Sequence, residues 1–282
     1  MVDNKEQKGS FLVSKIREVY RTISLGSLFS RLALIAVLLY LFFLPLLVVI
    51  PLSFNEGRFM TLPPKSYTLH WFKVFFSSSE WIEATIFSFE VAFTTMIVAT
   101  ILGTMASLAL VRGNFRGKGF LNSLFMLPMM VPLVVTATAL FLFFNRLGLT
   151  DTFFGLVLAH TVLAIPFVVI NVKAVLQGFD RSLEQAAMNL GANPFKTFMK
   201  ITLPIIRPGI ISASAFAFII SWDEIVIAIF ITGVRHYTLP RKMWENIRYS
   251  FNPILAVVAV LLASVSILFI IINQAARTSS RE

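Results

Sequence analysis

EQAAMNLGANPFKTFMKITLP, residues 184–204, is a polar stretch set between two apolar runs, each long enough to cross a bilayer. Read locally, it is a helix hairpin. Ser182, followed three residues later by Gln185, has the pattern of a capping box and predicts a short helix beginning near Leu183. Gly191 ends that helix, because glycine takes up the left-handed turn after a helix without a steric penalty. Asn193 as N-cap and Pro194 as first helical residue begin a second helix carrying Phe195, Lys196, Phe198 and Met199. Pro204 is expected to end or kink it. Ala186 and Ala187, beside Leu183, Met188 and Leu190, suit a helix that enters a groove closely.

The surroundings of the hairpin are those of a membrane protein. Of 282 residues, 57% are hydrophobic and 13% charged, and the mean hydropathy is +0.83, far from a soluble globular domain. The absence of cysteine excludes disulfide frameworks, thiolate nucleophiles and Cys-based metal sites. The net charge of +10 is scattered among loops rather than gathered on one face, so it speaks for orientation in a membrane and against nucleic acid. A bilayer core of about 30 Å takes about 20 residues of helix. Six segments satisfy this, at 32–54, 85–111, 120–145, 152–176, 206–232 and 253–274. The expected fold is an all-α integral membrane protein with a transmembrane domain over 32–275. Pro45, Gly103, Pro128, Pro132, Pro166 and Gly209 mark expected kinks.

An even number of spans puts both termini on one side. The loops shared with the termini hold 14 Lys and Arg against 8 in the opposite loops, so the positive-inside rule makes the termini and the hairpin cytoplasmic. The first span follows 31 residues and leads into Ser53-Phe54-Asn55-Glu56 rather than a small-x-small site, so it is expected to remain attached and not to be a cleaved signal. In the 1–31 segment Leu12, Ile16, Val19, Tyr20 and Ile23 recur at helical spacing among Lys15, Arg17, Glu18 and Arg21. That pattern predicts a helix on the membrane surface, serving as a positively charged anchor. Residues 276–282 form a cytoplasmic tail.

Gln185-Ala186-Ala187, three residues, Gly191, nine residues, Ile201, one residue and Leu203-Pro204 resemble the EAA loop of bacterial ABC importer permeases, the binding-protein-dependent transport permeases of MetI-like fold. The motif's acid is Gln185 here, and Glu184 stands one position earlier. The resemblance runs from about 35 to 275 and points to the spermidine/putrescine class. It includes Leu102-Gly103, Val111-Arg112, Leu127-Pro128 through Pro132, His160 through Pro166-Phe167, Trp222-Asp223-Glu224 and Leu239-Pro240. It implies a type I importer permease of six transmembrane helices in the bacterial inner membrane, with 182–204 as a cytoplasmic coupling hairpin. Glu184, Gln185, Ala186, Ala187, Met188, Gly191, Phe195, Leu203 and Pro204 would then meet an ABC ATPase dimer, which binds the ATP and Mg. A second permease subunit, usually a different chain, and a periplasmic substrate-binding protein over the outer loops 53–83 and 233–252 complete the implied assembly, with membrane lipid around it. The implied cargo is a small cationic amine of polyamine type, an opine or amino-acid-derived solute standing as the alternative.

The chain's own residues agree with a non-catalytic part. The stretch Gly113–Gly119 has three residues between its first two glycines and no Ser or Thr after Lys118, so it reads as a basic turn and not a phosphate loop. No catalytic residue, cofactor site or metal site is expected, since His160 has no second His or Cys at ligand spacing and suits an interhelical hydrogen bond. Acids within spans are another matter. Each costs about 2.5–3.5 kcal/mol at the bilayer centre, and Glu90, Asp223 and Glu224 are the deepest. They suit a path for a cation, to which Trp222 could add a cation–π contact. On a continuous helix Asp223 and Glu224 would point about 100° apart, near the outer gate. A self-sufficient secondary transporter or channel would also use buried acids and kinked helices, but no inverted repeat is visible and the hairpin would lack a purpose. An intramembrane enzyme fits less well, because Asp223 is the only aspartate deep in a span.

Overall fold

The computed structural model describes residues 30–278 apart from 31, 36, 42, 58 and 234. The expected surface helix around 12–23 and the end of the tail lie outside the described residues. Two units divide the chain between Pro51 and Leu52. Two helical pieces with a 46° bend between them, Leu32–Leu41 and Phe43–Ser53, make up α1, whose last two residues belong to the second unit.

The second unit is built of helices joined by loops, its one β-bridge among the described residues pairing Asn55 with Tyr67. Its elements are α2 (His70–Ser77), α3 (Ser79–Arg112), α4 (Lys118–Met130), α5 (Leu133–Arg146), α6 (Phe153–Gln177), α7 (Ser182–Asn189), α8 (Pro194–Thr197), a π-helical turn (Phe198–Thr202), α9 (Leu203–Trp222), α10 (Val226–Ile231), α11 (Leu239–Tyr249) and α12 (Ile254–Thr278). Among the described residues four stretches are long and apolar enough to cross a membrane: α3, α6, Pro194–Trp222 and Ile254–Ala275. Counting each bent pair as one span brings the number up to six.

Two expected spans are broken. The segment expected at 120–145 is α4 and α5, which meet at 106°. Pro132 explains the break, because proline lacks an N–H and pushes the residue before it out of the helical region, and Val131 is extended at φ −88°, ψ 136°. The segment expected at 206–232 begins earlier and stops sooner. Helix runs from Pro194 through the π-helical turn into α9, so Pro204 does not end the second hairpin helix. Pro204 is the second residue of α9, directly after the π-helical turn. At the other end α9 stops at Trp222, and Asp223, Glu224 and Ile225 separate it from α10.

The core is the packing of α3, α6 and α9 on one another. Ala99, Ala164, Ala213 and Ala217 are fully buried where these helices meet, small side chains that let the backbones approach. Gly103 and Gly209 take this furthest: a Cβ on Gly103 would lie 2.6 Å from Val168 Cγ1 and one on Gly209 2.5 Å from Val175 Cγ2, closer than real Cβ contacts come. Toward the opposite end larger groups fill the space, with Phe75, Trp81, Phe218, Trp222 and Leu239 in one cluster. Leu156, Ile227 and Ile231 belong to another. Leu239 N donates to Ser88 Oγ at 2.7 Å, fixing the start of α11 on α3.

Candidate functional site

The hairpin is formed as a helix, a glycine turn and a second helix. Gly191 has φ +86°, the conformation that favours glycine, and Asn193 Oδ1 accepts the N–H of Lys196 at 2.7 Å as the cap of α8. The capping box expected at Ser182 and Gln185 is replaced by a different cap. Asp180 Oδ1 accepts the Ser182 N–H at 2.9 Å, Asp180 Oδ2 accepts its hydroxyl at 2.7 Å, and Ser182 is the first residue of the helix. These bonds hold the Asp180 carboxyl below its usual range.

Glu184 and Gln185 point in different directions, as neighbours on a helix must. Glu184 is only 8% exposed. Its Oε1 accepts from Arg112 Nη2 at the end of α3 and from the hydroxyl of Thr202 in the π-helical turn. The Arg112 guanidinium also lies 5.8 Å from the centre of the Phe179 ring. Gln185 and Ala186 are exposed and Ala187 is half-buried. Around them a group of apolar side chains faces outward, with Leu190 89% and Phe195 72% exposed and Leu183, Met188 and Met199 near half. Leu203 is half-buried, and Gly191 and Pro204 are exposed.

At the opposite end of α3, Glu80, Glu83, Phe87 and Glu90 form one stripe, spaced by three, four and three residues, and line a cavity of about 740 Å³. Arg235, His236, Tyr237, Lys242 and Glu245 contribute to its other wall. Lys242 Nζ pairs with Glu80 Oε2 at 2.7 Å, and Arg241 Nε with Glu245 Oε1 at 3.1 Å. Glu83 and Glu90 are exposed and have no ion-pair partner among the described residues. Glu90 is therefore a cavity-lining group and not one sunk in helix packing. The 3,7 spacing of Glu80, Glu83 and Glu90 was there to be read, but the first two precede the apolar run and pass for loop charges.

The acids of the fifth segment occupy the break after α9, not a continuous helix, so the expected 100° relation between them does not hold. Glu224 Oε1 accepts the N–H of Ile227 at 2.8 Å and caps α10. Asp223 is exposed. Trp222 is 1% exposed, stacks on Phe218 at 5.9 Å and donates Nε1–H to the Leu262 carbonyl at 3.3 Å. The structure thus places Trp222 in the core. Phe89 meets Phe218 and Trp222 with ring centroids 5.9 and 6.5 Å apart, so α3 packs on the last turns of α9 here. His160 makes the expected interhelical bond, Nδ1 to Ser221 Oγ at 2.8 Å.

Asp151 fastens the same end and was invisible in the sequence, because its partners lie more than 80 residues away. Its carboxylate accepts the N–H of Gly233 at 2.8 Å and of Arg235 at 3.4 Å and lies 3.2 Å from His236 Nδ1. Partial burial raises its pKa, but these hydrogen bonds outweigh burial and leave the carboxyl below its ordinary value.

Residues 99–279 match the model of the family described as binding-protein-dependent transport system inner membrane component. The chain belongs to this family. Spermidine/putrescine transport system permease protein PotC of Haemophilus influenzae is 30% identical to the permease over 246 residues, covering 87% of it and 95% of that relative. Putrescine transport system permease protein PotI of Escherichia coli K12 is 33% identical over 225 residues, covering 77% and 80%. A chain of a bacterial ABC transporter involved in the import of the acidic polysaccharide alginate shares the fold at TM-score 0.71 and 14% identity, covering 93% of the permease and 99% of that chain. The protein is the permease subunit of an ABC importer, a transport component rather than a catalytic one.

Proposed function

We propose that this permease carries a small cationic amine from a periplasmic binding protein to the cytoplasm by alternating access, driven by an ATPase dimer seated on the 182–204 hairpin. In this reading the hairpin end is cytoplasmic and the cavity end is periplasmic. The observation that carries it is the hairpin itself, a rigid turn of 20 or so residues that exposes Leu190, Phe195, Met188 and Leu183 to a partner's groove while burying its acid inward. Gln185, Ala186, Ala187 and Gly191 lie on the surface that seats the ATPase, which binds the ATP and Mg. A second permease subunit completes the path.

The substrate side rests on Glu83 and Glu90, two carboxylates without ion-pair partners among the described residues and two helical turns apart, about 10.5 Å along α3. They draw an organic cation into the cavity, and Asp223, exposed in the break after α9, takes it onward. Glu224 and Trp222 shape the path by holding the helix break in place. The polyamine-transport names of the relatives support the same substrate class.

Copurification with the ATPase and ATP-dependent uptake into vesicles test the reading. Ala187→Arg is expected to abolish both, and spermidine or putrescine to be taken up by the parent assembly. Retained coupling in Ala187→Arg overturns the hairpin assignment, and a binding protein that retains no amine overturns the substrate.

A further inference from the structure

The hairpin is covalently continuous with α6, through residues 178–181, and with α9, through the π-helical turn. It has no such link to α3, which ends at Arg112 and joins the hairpin through side chains. We infer that Arg112 and Glu184 form the tie that makes α3 move with the hairpin, so that Glu184 is a positioning residue inside the permease and not a contact to the ATPase. This rests on the coupling reading of the hairpin.

The geometry is that of a joint. One carboxylate oxygen, Glu184 Oε1, receives both Arg112 Nη2 and Thr202 Oγ1, so α3, α7 and the π-helical turn converge on a single atom. Each charge also sits at the favourable end of its own helix, Arg112 in the last turn of α3 and Glu184 in the first turn of α7. The side chains are 22% and 10% exposed, so removing either partner strands the other in a poorly solvated place. Lys118 Nζ, 3.1 Å from the Gly113 carbonyl, fixes the backbone just beyond Arg112 and gives the joint a firm seat. The exposed neighbour Gln185 stands where the family motif has its acid, so the two functions are divided: position 185 faces outward to the partner, position 184 inward to α3. Since α3 carries Glu83 and Glu90 at its other end, a movement of the hairpin passed through the tie reaches the cavity directly.

The test uses the assembled importer, the permease expressed with its ATPase and second permease. This chain has no cysteine, so cysteines at Met105, 62% exposed on α3, and Met199, 46% exposed in the π-helical turn, accept spin labels cleanly. In the parent, the distance between the labels is expected to stay the same in nucleotide-free and ATP–vanadate-trapped complexes. In Glu184→Gln and Arg112→Ala the ATPase is expected to copurify as before, while trapping shifts or splits the distance distribution. Reversing the pair, Arg112→Glu with Glu184→Arg, is expected to restore one unchanged distance. Thr202→Val, which removes one of the two bonds to Oε1, gives the same reading at lower severity should a charge variant fail to fold. The tie is overturned if Glu184→Gln sheds the ATPase as Ala187→Arg does, if its label distance stays as constant as the parent's, or if the parent's own distance changes on trapping. A parent chain that never copurifies with an ATPase instead overturns the coupling reading beneath it.

Discussion

His160 and Ser221 join α6 to α9 inside the bundle, with Nδ1 2.8 Å from Oγ, two residues before α9 gives way at Asp223. The other ring nitrogen of His160, Nε2, is buried and has no partner among the described residues. Ser221→Ala therefore leaves both nitrogens unbonded and is expected to cost about 1–3 kcal/mol, read as a lower melting temperature in detergent. Adding His160→Leu removes the stranded group, and the double variant is expected to be more stable than Ser221→Ala alone. A double variant less stable than the single one would mean that the ring is held by packing rather than by this bond.

Gly103 on α3 lies against Val168 on α6 with no room for a methyl group. Gly103→Ala is expected to destabilise by about 1–3 kcal/mol through overpacking. Val168→Ala in the same chain supplies the missing space and is expected to recover most of the loss, measured by thermal unfolding.

Gly191 is a different case. A Cβ there meets nothing, yet its φ of +86° strains any L residue, so the penalty is purely one of backbone. Gly191→Val is expected to cost about 1–3 kcal/mol locally. Its signature is loss of ATPase copurification while the melting temperature of the membrane helices stays close to the parent's.

Asp151 gives a dependence on pH. Its carboxyl titrates below the unfolded value of about 3.9, so the stability it contributes is fully present above that value and drains away as pH falls through the native one. Asp151→Asn is expected to unfold at a lower temperature than the parent at neutral pH, with the gap closing as pH drops below about 4. Melting temperatures taken across pH 3 to 7 check this, and a gap that widens in acid contradicts the hydrogen-bonded carboxylate.

In the proposed function Glu83 and Glu90 draw in the cation, which makes uptake their readout. A carboxylate about 4 Å from an ammonium contributes about 1 kcal/mol in water, so Glu90→Gln is expected to lower uptake of subsaturating spermidine about fivefold, and Glu83→Gln somewhat less. Glu80→Gln, whose carboxylate is already occupied by Lys242, is expected to change uptake little. Initial rates at several substrate concentrations separate these cases.

Much of this architecture can be read from local chemistry. Gly191, Asn193 and Pro194 write a helix hairpin because a left-handed turn, a side-chain cap and a fixed φ each act within a few residues. The apolar runs of α3, α6 and α12 declare membrane helices because a bilayer asks for length and hydropathy, both local sums. Pro132 was visible as well, but how sharply α4 and α5 turn there was not, since proline removes a bond without choosing an angle.

What lay beyond the chain's local grammar is everything that depends on a distant partner. Glu184 and Gln185 differ by one position, and which of them turns inward follows from Arg112, 72 residues away. Asp151 is a lone loop acid until Gly233 and His236 arrive beside it. Glu90 became a cavity wall, and Trp222 a core residue, by the way α3 and α9 face each other. Caps, turns and spans are settled by forces that act over a few residues, so they can be read in order along the chain. Ion pairs and cavities are settled by which helix faces which, and that emerges from packing all of them at once.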